Sequence, residues 1–364
     1  MSKYLHLLIL LFLSNLALAQ KGDTLRKYLN EDLSFTSKDE AVFPALAMRF
    51  NDHWLLYSVY QDTNTLLKIF FKDRSLTIKD GPYDIYHPKK IKGLSGMYLN
   101  NVKHGTWISY YENGQARDSG VIDHNRMTGT WYSWHPNGHL MLIRNYPSPD
   151  NLPTYPGTKA TLNKKNTIVD PDTVMSWKEG LSIQYYNNGQ IQDSGIYHNN
   201  QKQGIWKNWH INGQQESTGS YVNGSMEGEW QFFRENGVRS TIEKYSNNKI
   251  ADLTCFDSLG QPSGFSCSIT KPPVPQGKFS SFQDYALDNI FWPPSLPPNI
   301  SGVVTVKYTV TKEGKLKDFK VVQSPHPLLS KEVERFLKTL EWSPAISHNR
   351  AIDATMDYEV PFFR

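Results

Sequence analysis

The chain has 364 residues, enough for two or three domains, and a formal net charge of +4, which excludes a protein that works through a strongly basic nucleic-acid surface. Aromatic residues make up 13%, with ten Trp beside 24 Gly, a composition that predicts many short twisted strands sharing small aromatic cores.

Residues 1–19 read as a secretory signal peptide. Lys3 supplies a positive start, residues 5–13 an apolar stretch, and Ala17-Leu18-Ala19 a small-x-small cleavage site. The apolar stretch is short for a membrane span. Cleavage places the mature chain in the periplasm or cell envelope; a retained signal would anchor it in the inner membrane. Residues 20–80 are predicted as an N-terminal β cap. "FTSKDEA" suits a short helix capped by Ser37, and "DHWLLYSVYQ" and "LLKIFFKD" read as strands around a Thr63-Asn64 turn.

From residue 81 to 264 the chain repeats with a period of 24. Gly81, Gly105 and Gly129 are 24 apart, as are Gly180, Gly204 and Gly228. Two positions after each glycine come Tyr83, Trp107, Trp131, Ser182, Trp206 and Trp230, and seventeen after come Tyr98, Ile122, Tyr146, Tyr197, Tyr221 and Tyr245. Asn-Gly recurs at 113–114, 137–138, 188–189, 212–213 and 236–237, with Lys89-Lys90 in the first unit. Asn-Gly predicts a two-residue type I′ hairpin in each unit, and a second turn near Asn100-Asn101 or Asn199-Asn200 links one hairpin to the next. A lone hairpin is marginal in water, so stacked units must share their aromatic rows. The predicted fold class is therefore mainly β, an elongated sheet of stacked hairpins. An irregular insertion near 147–173 interrupts it, and "CFDSLGQ" at 255–261 echoes the turn once more. His87, His135 and His210 share one register, but Tyr111, Tyr186 and Arg234 fill it elsewhere, which favours a strand position over a metal ladder; no metal or other cofactor is expected. Cys255 and Cys267 leave two readings open, a disulfide closing a short loop or two unpaired thiols.

The Gly-x-Trp-x-x-Tyr-Tyr-x-Asn-Gly pattern resembles the MORN-type repeat, in the variant found in exported and antitoxin-like bacterial proteins. The resemblance implies a scaffold or contact surface.

Residues 265–278, with "KPPVPQGK", read as a Pro-rich linker. Then "FSSFQDYALDNI" suits a helix, Val304, Val306, Tyr308 and Val310 alternate as a strand, and "LKDFKVV" returns as its partner. Leu329, Val333, Phe336, Leu337 and Leu340 make residues 327–340 an amphipathic helix, and Ile352, Ala354, Met356, Tyr358 and Val360 alternate as a last strand. The order over 279–364 is helix, β, β, α, β, a small α+β domain.

That order, with Gly302-Val303-Val304, Glu313-Gly314, Val321-Val322-x-Ser324, Trp342-Ser343-Pro344-Ala345 and the closing Val360-Pro361-Phe362-Phe363-Arg364, resembles the TonB C-terminal domain. The resemblance implies a protein partner, an outer-membrane TonB-dependent receptor, bound by strand addition along Ile352, Ala354, Met356, Tyr358 and Val360. Catalytic constellations are absent from the sequence, so no enzyme, small-molecule substrate or nucleic-acid partner is expected. Three roles stay open: an exported binding protein with the repeats as spacer, a structural or interaction scaffold that works through the repeat sheet with the terminal domain as an assembly module, and an anchored energy transducer. Self-association is a further option.

Overall fold

The computed structural model describes residues 24–60, 64–148, 177–263, 267–277, 281–297 and 299–363. The predicted signal peptide, Thr63 and nearly all of the 147–173 insertion lie outside the described residues. None of the described helices is long and apolar enough to cross a membrane.

The fold is mainly β, with a 17-stranded antiparallel sheet followed by a small α+β domain. The strands are β1 (Thr24–Leu29), β2 (Phe43–Phe50), β3 (His53–Val59), β4 (Thr65–Phe71), β5 (Lys79–His87), β6 (Ile91–Leu99), β7 (Val102–Tyr110), β8 (Ala116–Asp123), β9 (Arg126–Trp134), β10 (Leu140–Tyr146), β11 (Gly180–Tyr185), β12 (Ile191–His198), β13 (Gln201–Trp209), β14 (Gln215–Val222), β15 (Ser225–Phe233), β16 (Arg239–Ser246) and β17 (Lys249–Cys255). The chain divides into two compact units, Met1–Gly213 with Ser220–Ser225, and Gln214–Gly219 with Met226–Arg364. In the first, β1–β4 precede the repeats and bury Leu29, Ala47, Trp54, Leu56 and Leu67. The helix expected at "FTSKDEA" does not form. Thr36 N–H is taken by the Tyr28 carbonyl and Val42 N–H by that of Leu29, so this backbone is committed to β1 and not to an i→i−4 ladder.

The Asn-Gly turn differs in type from the sequence expectation. Asn-Gly does not make the type I′ turn: Gly114 has φ +86° but Asn113 does not lie at positive φ. Gly114 N–H donates to the Tyr111 carbonyl, and Tyr111 N–H to that of Gln115, which is a type I turn closed by a left-handed glycine. The true I′ pairs are the connecting turns, Asn100-Asn101, His124-Asn125, Asn199-Asn200, Asn223-Gly224 and Asn247-Asn248, in which both residues have positive φ. The asparagines are retained for a further reason. Asn113 donates to the carbonyl of Pro136 and Asn188 to that of Ile211, each tying its turn to the next. "CFDSLGQ" repeats the first turn, with Gly260 N–H on the Asp257 carbonyl.

Six positions after the repeat glycine, side chains of different chemistry do one job. His87 donates to the carbonyl of Tyr110, Tyr111 to that of Trp134, His135 to that of Tyr185, Tyr186 to that of Trp209, and Arg234 to that of Phe256. Each clamps the following unit's main chain.

The packing rule is a tryptophan laid flat on a glycine. A Cβ added to Gly96 would stand 2.2 Å from Trp107, one on Gly120 2.2 Å from Trp131, one on Gly195 2.2 Å from Trp206, and one on Gly219 2.1 Å from Trp230. Only bare backbone fits beneath the indole. The left-handed Gly105, Gly129 and Gly204 open a bulge opposite these sites, where the register slips between Ser95 and Met97, Ser119 and Val121, and Ser194 and Ile196. At the interruption both members of the pair change together. Arg144 stands where the glycine would be and Ser182 where the tryptophan would be, joined by a 3.3 Å bond from Nε to Oγ.

The second unit carries β18 (Thr270–Lys271), β19 (Val274–Pro275), α1 (Phe282–Asn289), β20 (Gly302–Val310), β21 (Leu316–Gln323), α2 (Pro327–Thr339), β22 (Trp342–Ser343), β23 (Ala345–Ser347), β24 (Arg350–Ile352) and β25 (Ala354–Phe362). Ser281 caps α1 through Asp284 N–H, and His326 caps α2 through Leu328 N–H. Sheet β21-β20-β25 packs Val304, Val306, Val310, Val360 and Phe362 against Leu329, Val333, Phe336 and Leu337 of α2. The predicted linker is not free chain: β18 pairs with β23 and β19 with β22, so its extended, Pro-rich backbone finds partners in the domain it leads to.

The paired exchange at Arg144 and Ser182 is testable elsewhere. Gly195→Arg alone should destabilise by about 2–3 kcal/mol through overpacking, and Trp206→Ser alone by about 3–5 kcal/mol. Urea unfolding of the double variant should fall short of the sum by on the order of 1 kcal/mol; strict additivity would refute the pairing.

Candidate docking edge

β25 lies at the margin of its sheet. Along its whole length it pairs with β20, from Gly302 against Phe362 to Val310 against Ala354, and among the described residues no strand takes its other side. Its side chains alternate. Met356, Tyr358, Val360 and Phe362 face the core, whereas Thr355, Asp357, Glu359 and Pro361 are exposed. Burial pushes the Tyr358 phenol up, as it does that of its neighbour Tyr308.

Pro361 sets the parity of the ladder. It has no N–H to exchange with Val303, so the hydrogen-bonded pairs are the alternate ones, Val360 with Val304, Tyr358 with Val306, and Met356 with Tyr308. The hydroxyls of Thr309 and Thr355, 3.3 Å apart across a non-hydrogen-bonded pair, agree with that parity. The N–H and C=O groups of Thr355, Asp357 and Glu359 therefore point off the sheet. Around them the charges are paired at the surface, Lys307 with Asp357 at 3.4 Å and Lys317 with Asp353 at 2.6 Å. The Lys317 ammonium, the Lys312 N–H and nearby positive charge hold the Asp353 carboxyl below its usual range.

Of the residues expected on the docking strand, Ala354, Met356, Tyr358 and Val360 are on β25 with their side chains turned inward. The expected start is too early. Ile352 ends β24 and pairs with Ala345, and Asp353, held by Lys312 and Lys317, separates it from β25. Cys255, at the end of β17, is bonded to Cys267, with Cα atoms 6.0 Å apart.

The hairpin β23–β24 is occupied by the repeats of its own unit. Its turn, His348-Asn349, is another I′ pair at positive φ. Arg350 donates to the Phe233 carbonyl at 2.8 Å and pairs with Glu216 at 3.1 Å. The His348 ring stacks on Phe232, centroids 3.6 Å apart, and bonds Glu243 at 2.7 Å. Glu243 is 0% exposed and stands at the register of Gly96, Gly120, Gly195 and Gly219. Where an earlier unit would receive the next tryptophan, this last one receives a histidine of the terminal domain. Nothing in the spacing of the sequence announced this contact.

Burial alone would raise the Glu243 pKa, but hydrogen bonds from His348, Tyr245 and Thr241 outweigh it and hold the carboxyl below its ordinary value of 4.5. A carboxylate held low contributes stability that is present above its unfolded pKa and lost as pH falls through the folded one. Thermal unfolding of wild type and Glu243→Gln should thus differ most above about pH 5 and converge on acidification below 4.5. A difference independent of pH would count against this assignment.

Residues 297–362 match the family model of the Gram-negative bacterial TonB protein C-terminal. Residues 103–115, 127–146 and 178–199 match that of a MORN repeat variant. No curated protein matches the chain. The chain therefore carries MORN-type repeats followed by a TonB C-terminal-like domain, an architecture that points to a TonB-like protein of the Gram-negative cell envelope.

Proposed function

We propose that this protein is an exported adaptor that acts by binding and not by catalysis. The outward main chain of β25 takes up an extended segment of a protein partner, the periplasmic peptide of an outer-membrane TonB-dependent receptor, while the repeats serve as spacer and scaffold. The observation that carries this reading is the edge of β25, which no strand among the described residues takes, inside the stretch that matches the TonB C-terminal model. Such an edge offers main-chain affinity to any compatible strand, and the exposed Thr355, Asp357 and Glu359 select among them.

A second reading makes the repeat sheet itself the contact surface. Leu181 and Ile196 face each other across β11 and β12, and with Ile205 they are 44%, 52% and 65% exposed. Aliphatic side chains left open in this way suit a protein partner.

Two measurements test the proposal. Asp357→Pro removes one outward N–H and leaves the β20 ladder intact, so it should weaken binding of a receptor peptide by about tenfold, while Asp357→Ala, which keeps that N–H, should bind nearly as wild type. Equal binding by both variants would reject strand addition, and loss of the partner on Ile205→Lys alone would transfer the function to the repeats. Separately, the intact mass of the exported protein should correspond to a chain beginning at Gln20; a retained signal would favour an anchored transducer.

A further inference from the structure

The interruption of the repeat gathers charge as well as breaking the aromatic row. Arg144 of β10 lies with its guanidinium 5.7 Å from the centre of the Tyr197 ring, and the Lys178 ammonium is 4.9 Å from the same ring. Lys202 of β13 stands 4.0 Å from Trp206 and 5.0 Å from Tyr221. All of these residues belong to the first compact unit.

These cations are not neutralised in the ordinary way. Among the described residues no carboxylate lies within the 4.0 Å ion-pairing distance of Arg144, Lys178 or Lys202. The nearest acid in sequence, Glu179, is held by His198 and by the Asn199 N–H. Burial, then the charges of Arg144 and Lys202, push the Lys178 pKa down, and burial pushes that of Lys202 down against the pull of Asp193. Asp193 interacts with Lys202 and Arg144, and burial raises its own pKa. Burial raises the pKa values of Tyr146, Tyr197 and Tyr221, so their hydroxyls stay protonated.

The two lysines follow the repeat register, since Lys79 and Lys103 stand over Tyr98 and Trp107 as Lys178 and Lys202 stand over Tyr197 and Trp206. Arg144 is what the interruption adds. Lys103 lies over Trp107 with glycine, not arginine, at the neighbouring register, because the Gly96–Trp107 pair is intact there. Arg144 joins the lysines because arginine and serine stand where the repeat has glycine and tryptophan: no indole lies at Ser182, and a guanidinium with a flat hydrogen-bonding fork takes the place of the glycine.

We propose that Arg144, Lys178 and Lys202 form a binding site for a phosphate-bearing ligand, a dianion that offsets their converging positive charge and accepts from Arg144 and the two ammonium groups. Arginine recognises phosphate with two parallel hydrogen bonds, and partly desolvated lysines gain most from a doubly charged partner. The same chemistry is offered by free phosphate and by a phosphomonoester headgroup on a membrane surface.

The test uses the full mature chain. Inorganic phosphate is titrated by calorimetry at constant ionic strength against chloride, and sedimentation is measured with vesicles of phosphatidylcholine with and without phosphatidic acid. Phosphate should bind, and Lys202→Met, which keeps the stem over Trp206, and Lys178→Gln should each weaken it by about tenfold, whereas Lys103→Met should not. Sedimentation with phosphatidic acid that is lost in the same two variants supports the site with a lipid source, and phosphate binding alone supports it with a soluble one. Absence of both, or equal binding by wild type and both site variants with unchanged circular dichroism, overturns it. Failure of receptor-peptide binding bears on β25 alone and leaves this outcome untouched.

Discussion

An indole ring lying on a glycine is what allows this sheet to exist. A repeat of short hairpins has little apolar surface to bury, and the four Gly–Trp pairs supply it from the sheet's own backbone. With no Cβ in the way, Trp206 and Trp230 sink to 1% and 2% exposure against the backbone of the preceding strand. The tyrosines seventeen positions after the repeat glycine then close on the indole edges, as Tyr197 and Tyr221 do on Trp206. The bulges at Gly105, Gly129 and Gly204 follow from the same requirement, since they turn the tryptophan strand so that its ring reaches sideways. The turn asparagines and the residue six after the glycine add main-chain links between units, which fix the repeat distance once the rings have set it.

A repeat built this way has an ending problem, because its last unit exposes the seat meant for the next indole. Here the last seat is Glu243, and its charge would be costly to bury alone. Thr241, Tyr245 and His348 satisfy it, so the carboxylate is buried at a site where three donors converge. The partner is a hairpin of the terminal domain whose I′ turn has the same positive-φ pair as the connecting turns of the array. Repeat and domain are thus joined by the geometry that joins repeat to repeat, with imidazole and guanidinium in place of indole.

With β24 used for that junction, the sheet β21-β20-β25 keeps two outer strands, β21 and β25. The terminal domain has one hairpin turned to the repeats, one helical face turned to its core and, on β25, a row of main-chain groups that no described strand takes. Pro361 limits that row at its end, as prolines on edge strands do. The charged residues beside it are paired across the exposed surface and contribute little to stability, which leaves them available to select a partner.

The period of 24, the aromatic rows, the helix–β–β–α–β order and the alternation in the last strand were all legible in the sequence, because each is a local pattern set by strand or helix periodicity. The turn types were not, since Asn-Gly serves a I′ turn or a type I turn with a left-handed glycine equally well, and the choice rests on how Asn113 and Asn188 reach the neighbouring unit. The helix expected at 35–41 failed for a similar reason: its N–H groups had partners on β1 that lie outside any local window. Gly96, Gly120, Gly195 and Gly219 could have been found by asking what stands fifteen after each repeat glycine, and the same question exposes Arg144 and Glu243 as exceptions. What those exceptions do was decided only by the tertiary structure, because the residues that answer them, Ser182 and His348, are 38 and 105 positions away. Periodicity fixes which faces are buried; contact between distant segments decides where a buried charge is tolerable.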